Sequence, residues 1–273
     1  IKNVLKITVP MTLNAIVSSF GKNIDSITVV RILKRIIGEE QAIIKYGILS
    51  SKIDILVSLP LSFNTAIATA LIPEISNYKI KNDIRGLVKK IEFSLLITLI
   101  IGIPYVFGIK YYSEQIFYLL FPKANEGAEL LKLASIGIVF SMLTQTINAV
   151  LQGIGKNQIP LYASTIGLIA KIISNIILIS IDGIYEKGAI IGNIISSFIS
   201  FIIVYKELRK SIIIKKQLLG LAVKPILGSM LMIFLSLNGY NYMIRKNINL
   251  QISIIISIVG MIIIEKFIVP KLG

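Results

Sequence analysis

Two residue types that carry much of enzyme chemistry are missing from this chain of 273 residues, which has no cysteine and no histidine. Without cysteine there are no disulfides and no thiolate chemistry, and the redox compartment is left open. Without histidine, the commonest metal ligand and general base is also missing. The remaining residues form no paired-carboxylate arrangement with catalytic logic. We therefore expect neither an enzyme nor a resident metal or cofactor.

Charge is also scarce, at 16% of residues against 55% hydrophobic, with a mean hydropathy of +0.82. A soluble domain of this length would need a far more polar surface, so the lipid bilayer is the expected solvent. The net charge is +15. Because most basic residues lie between apolar runs, we expect them to face anionic lipid headgroups rather than nucleic acid.

Eight apolar windows have the length of about 20 residues needed to cross a hydrocarbon core as a helix. They are continuous and lack the alternation of a membrane β-barrel. The sequence thus predicts an all-α, polytopic membrane helix bundle of about eight transmembrane helices. The windows lie near 4–30, 47–72, 88–109, 128–151, 159–181, 188–205, 217–237 and 250–268.

The loop charges predict the orientation of these helices. An even number of spans puts both termini on one side, and that side collects 15 Lys and Arg residues against 9 on the other. Because cytoplasmic loops carry the excess of basic residues, both termini are expected to be cytoplasmic. One basic connection, "SNYKIKNDIRGLVKKIEF", has its apolar residues on one helical face, which favours an interfacial helix on the cytoplasmic leaflet. A solvated basic loop is the alternative.

Two observations within the spans favour a transporter. Four prolines fall inside predicted helices, where each removes a backbone hydrogen bond and bends the axis. Lysines also lie inside spans, and a charge there needs a partner or a wet cavity. The segment "GKNIDSITVVR" carries Lys22 and Asp25, the next span carries Lys52 and Asp54, and Lys171 lies near the middle of its own span. We expect these five residues to be the candidate substrate-binding positions of a central cavity.

The role of these charges is open between two interpretations. Lys22 and Asp25, three residues apart, can form an ion pair that simply makes the helix insertable. Alternatively, Lys22 and Lys52 attract a phosphate in the cavity while Asp25 holds Lys22 between cycles. Asp25 is also the best carboxylate candidate for a coupling ion. Because no ATP-binding motif is present, we expect transport to draw on an ion gradient or the membrane potential.

Three stretches, in this order and spacing, resemble a known family. They are "NIDSITVVRIL", "YGILSSKIDILVSLPLSFNTAIATALIPEIS" and "LQGIGKNQIP". The chain resembles the polysaccharide-biosynthesis transporters typified by stage V sporulation protein B, of the multidrug, oligosaccharidyl-lipid and polysaccharide (MOP) exporter superfamily, which also includes the lipid II flippases. The similarity covers nearly the whole chain and fades after about Lys210.

The resemblance implies a fold and a domain organisation. Such transporters carry fourteen helices, as two six-helix lobes and two extra helices, in a MATE-like arrangement. Residues 1–209 would then be the second lobe and residues 210–273 the extra pair. The first lobe would be absent from this chain, a fragment, as the initial Ile1 in place of Met also indicates.

The resemblance further implies a function, namely a flippase or exporter of lipid-linked saccharides, such as a polysaccharide or peptidoglycan precursor, that works by alternating access in a bacterial plasma membrane. Lys52 would stand near a cavity position where lipid II flippases carry an Arg. Five lysines lie within predicted spans, namely Lys22, Lys52, Lys132, Lys171 and Lys224. This surplus of cations suits a pyrophosphate headgroup better than a cationic substrate. The alternatives are a drug or cation antiporter of the same superfamily and a non-transporting membrane scaffold. The expected partners are the bilayer, the lipid-linked saccharide and a coupling ion.

Overall fold

The computed structural model of the protein describes residues 2–122, 126–213, 217–246, 252–254 and 256. The elements over these residues are helices, which confirms the predicted all-α class. The eighth predicted span, 250–268, lies almost wholly outside the described residues. The α-helices are α1 Lys2–Ile37, α2 Glu39–Ile48, α3 Asp54–Ile80, α4 Ile84–Leu120, α5 Ala128–Gly153, α6 Gln158–Ile179, α7 Tyr185–Ser211 and α8 Leu218–Arg245.

Six helical segments in the described part of the chain are long and apolar enough to cross a membrane. The first of them, Glu39–Ile80, joins α2 to α3 through a π-helical turn at Leu49–Ile53. A π turn holds one residue more than an α turn, so it rotates the side chains that follow relative to those before it. The six segments are Glu39–Ile80, Ile84–Leu120, Ala128–Gly153, Gln158–Ile179, Tyr185–Ser211 and Leu218–Arg245.

Helix α5 lies at the centre of the bundle and packs against α3, α4 and α7. Helix α7 packs in turn on α6, α6 on α1, and α8 on the outer side of α4. We call the end that holds the turns at 81–83 and 154–157 the lower end, and the end that holds Gly38 and the turn at 180–184 the upper end. Each end is tied by ion pairs between helices, such as Lys45 with Glu186 above and Lys156 with Glu207 below.

The apolar core is divided along the length of the bundle. In the lower half Ile75, Ile91 and Ile147 are fully buried, where α3, α4 and α5 meet. In the upper half Leu33 and Phe117 are fully buried among residues of α1, α4 and α5. Because the core runs through both halves, the helices are held together over most of their length, which fixes the position of the polar residues between them.

A buried polar network ties α3, α4 and α5 together between these two halves. The Asn64 side chain is fully buried and its Nδ2 donates to Met142 O and to Gln145 Oε1, both at 2.9 Å. The Thr98 hydroxyl lies 3.2 Å from Asn64 Oδ1 and 2.7 Å from the hydroxyl of Thr146. Since water is scarce at this depth, these side chains satisfy one another and set the register of the three helices.

The backbone hydrogen bond that α3 loses at Pro60 is replaced by one from a neighbouring helix. Pro60 has no backbone N–H, so the carbonyl of Leu56 lacks its donor within the helix. The Tyr105 hydroxyl of α4 donates to that carbonyl at 2.6 Å. The Leu56 carbonyl is therefore satisfied despite the proline, and its hydrogen bond joins α3 to α4.

The basic connection between α3 and α4 differs from the interfacial helix that the sequence favours. Helix α3 continues to Ile80, a short turn follows, and α4 begins at Ile84. Asp83 caps α4 by accepting a hydrogen bond from Gly86 N at 2.9 Å. Leu87 and Ile91 are buried in the bundle core. The part of the apolar face that holds Leu87 and Ile91 is thus packed in the bundle as the start of the 37-residue helix α4, whereas Ile80 and Ile84 are exposed.

Candidate functional site

A polar cavity of about 220 Å³ lies in the upper half of the bundle. Helices α1, α5 and α7 and the α2–α3 segment enclose it. Apolar residues such as Val29, Leu49 and Ile53 form part of its wall. Its polar lining residues are Asp25, Tyr46, Asp54, Ser141, Asn193 and Ser197.

Asp25 faces this cavity from α1 and is bonded to two side chains of α6. The Lys171 ammonium lies 2.5 Å from Asp25 Oδ2 and also donates to the carbonyl of Gly21 at 3.0 Å. Asn175 Nδ2 donates to Asp25 Oδ1 at 3.1 Å. The Lys171 and Asp25 side chains are only 11% and 17% exposed. Asp25 and Lys171 thus form a largely buried, hydrogen-bonded ion pair across the α1–α6 interface.

The close approach of α6 to α7 fixes Asn175. Its Oδ1 lies where a Cβ on Gly192 would come within 2.2 Å. This oxygen is buried and has no hydrogen-bond partner among the described residues. The glycine therefore makes room for the carboxamide, whose amide group is aimed at Asp25. The position next to it, Asn193, lines the polar cavity.

Lys52 lies within the π turn and Asp54 directly follows it, and their side chains have different surroundings. Asp54 lines the polar cavity, whereas the Lys52 ammonium stands over two aromatic rings of α4 and its C-terminal cap, 5.9 Å from the Phe117 centroid and 5.2 Å from the Phe121 centroid. Cation–π attraction of this kind is worth about 0.5–2 kcal/mol. Lys52 therefore packs against the C-terminal end of α4 rather than lining this cavity.

The five predicted positions are thus divided by the structure. Asp25 and Asp54 share the polar cavity, and Lys171 is joined to it through Asp25. Lys52 is placed elsewhere, and the side chain of Lys22 lies outside the described residues. The Lys22–Asp25 pairing stays a prediction, as does a role of all five in substrate binding.

Sequence reasoning did not single out Tyr46, Ser141, Asn175, Asn193 or Ser197. Ser141 and Ser197 are bonded to each other across α5 and α7 at 2.9 Å. The available signal was the presence of polar residues at helical spacing within otherwise apolar spans. Among the described residues, no group of three Asp, Glu, His or Cys side chains is placed to hold a metal ion.

A second, apolar cavity of about 530 Å³ lies on the other side of α5. It is enclosed by α4, α5, α7 and α8, with Phe107, Phe140 and Phe201 among its lining residues. Arg209 and Gln217 are its only lining residues with a charged or carboxamide side chain among those described. The cavity can accept a hydrocarbon chain beside a basic group near the lower end.

Comparison with known proteins places this geometry in a family. The family model described as "Lipid II flippase MurJ" matches residues 1–263. The chain is 29% identical over 192 residues to the lipid II flippase MurJ of Bacillus subtilis (strain 168), covering 67% of this chain and 35% of that protein. It is 30% identical over 186 residues to the uncharacterized membrane protein YabM of the same organism, covering 68% and 34%. The chain thus spans about a third of the length of these relatives.

Two solved structures have a similar fold. One is an outward-facing multidrug resistance MATE family transporter of the MOP superfamily, with a TM-score of 0.62 at 15% identity, covering 98% of this chain and 64% of that one. The other is a MOP superfamily transporter from Pyrococcus furiosus, described as having a binding pocket of reverse polarity, with a TM-score of 0.60 at 16% identity, covering 88% and 54%. The matched family model, the two relatives and the fold agree with the resemblance seen in the sequence, and the chain belongs to the Lipid II flippase MurJ family.

Proposed function

We propose that the protein moves lipid-linked saccharides across a bacterial plasma membrane, as part of a longer transporter of which this chain supplies the second lobe and additional helices. The substrate class is a polyprenyl-linked precursor of a cell-wall or surface polysaccharide, with lipid II as the first candidate. Family membership supports this proposal. The protein acts as a transporter and not as an enzyme, since its task is to carry an intact molecule between leaflets.

The observation that carries the proposal is the pair of cavities on opposite sides of α5. A lipid-linked saccharide has a polar headgroup and a long hydrocarbon chain. The polar cavity offers hydroxyls, carboxamides and carboxylates, and the apolar cavity offers aromatic and aliphatic side chains with Arg209 near one end. An amphiphile of this kind needs both environments, one for its headgroup and one for its hydrocarbon chain.

The charges in the cavity argue against the alternative function, a drug or cation antiporter. Such a transporter would present an available carboxylate to its cationic substrate. Here the Lys171 ammonium already lies against Asp25. A cationic substrate would have to displace this internal cation, which weakens its binding and favours the saccharide carrier.

We infer that the lower end faces the cytoplasm, so that both ends of this segment are cytoplasmic. The 15-to-9 distribution of loop Lys and Arg residues supports this orientation. We also infer that transport proceeds by alternating access driven by an ion gradient or the membrane potential. In that cycle the Asp25–Lys171 pair acts as a latch whose opening frees the carboxylate for a coupling ion.

Reconstitution of the full-length protein in vesicles tests the proposal. A fluorescent polyprenyl-linked disaccharide, placed in one leaflet, should reach the other leaflet at a rate well above that of protein-free vesicles. Collapsing every ion gradient and the potential should abolish this transport. A protein that carries cationic dyes but not the disaccharide lipid would favour the antiporter and overturn the proposal.

A further inference from the structure

One face of α5 joins the polar cavity to a third cavity at the lower end of the bundle. This lower cavity, of about 440 Å³, is lined by residues of α1, α3 and the α5–α6 turn, including Met11, Ser76, Lys79 and Gln152. The polar cavity is lined by residues of the same three helices further up, such as Asp25 of α1, Asp54 of α3 and Ser141 of α5. Ser141 of α5 lines the upper of these cavities and Gln152 of α5 lines the lower one. We call the stretch along this face of α5, from one cavity to the other, the cleft, with α5 as its floor.

The floor of this cleft carries four polar side chains. They lie at spacings of four, three and four residues, so they share one face of the helix. From the first to the last this face rises about 16 Å, roughly half the thickness of a hydrocarbon core. All four residues are partly exposed, whereas half of the residues of α5 are buried. They are Ser141, Gln145, Asn148 and Gln152.

Two of these side chains are set up to meet a ligand in complementary ways. Gln145 Oε1 accepts a hydrogen bond from Asn64 Nδ2, so its own amide N–H groups are the part left to donate. Asn148 is partly exposed, and its buried Oδ1 has no hydrogen-bond partner among the described residues. A rotation of the Asn148 side chain toward the cleft would let this oxygen accept a hydrogen bond from a ligand. A carboxamide both donates and accepts, and it matches the hydroxyl and acetamido groups of a neutral sugar.

Helix α3 also carries polar side chains, on the face that runs from Asp54 at the polar cavity to Ser76 at the lower cavity. Ser58, Ser62, Thr65 and Thr69 are exposed, and each hydroxyl donates to a carbonyl of its own helix. Their oxygens can still accept hydrogen bonds. An exposed row of hydroxyls is poorly suited to face lipid hydrocarbon, where polar groups cannot be paired by the surroundings.

We propose that the α5 face formed by Ser141, Gln145, Asn148 and Gln152 is a saccharide track, along which the sugar part of the substrate is held while it crosses the membrane. This assignment rests on the proposed function and deepens it, because it names the residues that distinguish a sugar-bearing substrate from a bare polyprenyl pyrophosphate. The track binds by neutral hydrogen bonds, so it leaves the charged pyrophosphate to other groups.

The test compares two probes in vesicles that contain the full-length protein. One is a fluorescent polyprenyl-linked disaccharide, and the other is the matching polyprenyl pyrophosphate without sugar. Asn148→Leu should slow transport of the disaccharide probe at least tenfold and change that of the sugar-free probe less than twofold. Because the substitution removes a buried oxygen without a partner, the thermal unfolding temperature should stay the same or rise, which a purely structural role of Asn148 would not produce.

Two further variants complete the experiment. Gln152→Leu, at the lower end of the track, should show the same selective loss and serves if Asn148→Leu does not fold. Asn77→Leu, an exposed residue of α3 outside the cleft, is the matched control and should transport both probes normally. Equal loss of both probes, or loss of neither, would overturn the saccharide track. A wild-type protein that moves neither probe would instead overturn the proposed function, and the track with it.

Discussion

The two sides of α5 are built in different ways. On one side α1, α6 and α7 are joined by an ion pair, a carboxamide contact and close glycine packing. On the other side α4, α7 and α8 leave a cavity of about 530 Å³ lined mostly by apolar residues. Polar contacts are directional and fail when one partner is lost, whereas apolar packing tolerates changes of shape. The polar side should therefore be sensitive to single substitutions, and the apolar side tolerant of them.

The largest effect is expected at the buried ion pair. Lys171→Met leaves Asp25 with its charge in a largely buried position, which should lower the free energy of unfolding by about 3–5 kcal/mol. Unfolding in mild detergent measures it. The double variant Asp25→Asn/Lys171→Met should recover most of the loss, because no charge is left unpaired.

The matched control is the exposed pair of Lys187 with Glu129, whose side chains are 48% and 84% exposed. Lys187→Met should cost less than about 1 kcal/mol. Equal effects of the two lysine variants would contradict the distinction between a structural ion pair and a surface one.

A smaller effect is expected in the buried network below the polar cavity. Asn64→Leu removes a fully buried carboxamide, so Gln145 Oε1 loses its donor and the buried Thr98 hydroxyl loses one of its partners. The free energy of unfolding should fall by about 3 kcal/mol. Asn77→Leu, at an exposed position of the same helix, should change it by no more than about 0.5 kcal/mol. A neutral Asn64→Leu would show that the network adds nothing to the register of α3 to α5.

Substitution of two glycines by alanine distinguishes a position of close helix packing from one on an open surface. A Cβ on Gly188 would lie 2.8 Å from the backbone of Leu178 and Ile179, so Gly188→Ala must push α6 away from α7. We expect a loss of about 2 kcal/mol. Gly239, inside α8, has nothing within 4 Å of an added Cβ, and Gly239→Ala should stabilise the helix by up to about 1 kcal/mol. Thermal unfolding of the two variants should shift in opposite directions, and a shift in the same direction would refute the packing argument.

The smallest effect on stability is expected in the apolar cavity. Ala222→Leu adds a side chain to a space that is already empty, so the free energy of unfolding should change by no more than about 1 kcal/mol. Transport of a polyprenyl-linked probe should nevertheless fall several-fold, because the hydrocarbon chain loses room. Val223→Leu, on the exposed side of the same helix turn, is the control and should leave transport unchanged.

Much of the fold could be predicted because helix length and apolarity are properties of continuous segments. The first seven predicted windows fall within α1 to α8, apart from a residue or two at the ends. Lys171 could also be predicted to need a partner, because an unpaired charge within a membrane span is costly. The identity of this partner could not be predicted, because Asp25 lies 146 positions away and meets Lys171 only through the α1–α6 contact.

The placement of Lys52 shows a second limit of sequence reasoning. Its position relative to Asp54 depends on the π turn, which no spacing rule reveals. The polar face of α5 was visible as a pattern, since its residues recur at helical spacing in "SMLTQTINAVLQG". Its function could not be predicted from the sequence, because that function depends on which helices lie opposite the polar face.

The hydrogen bond from Tyr105 to the carbonyl beside Pro60 has a mechanical consequence. A proline usually makes a helix locally compliant, because the carbonyl it frees can turn toward other partners. Here that carbonyl is bonded to α4 at 2.6 Å. Sliding α4 past α3 would strand a backbone acceptor in hydrocarbon, at a cost of several kcal/mol. This hydrogen bond therefore opposes sliding of α4 along α3 near the middle of the two helices.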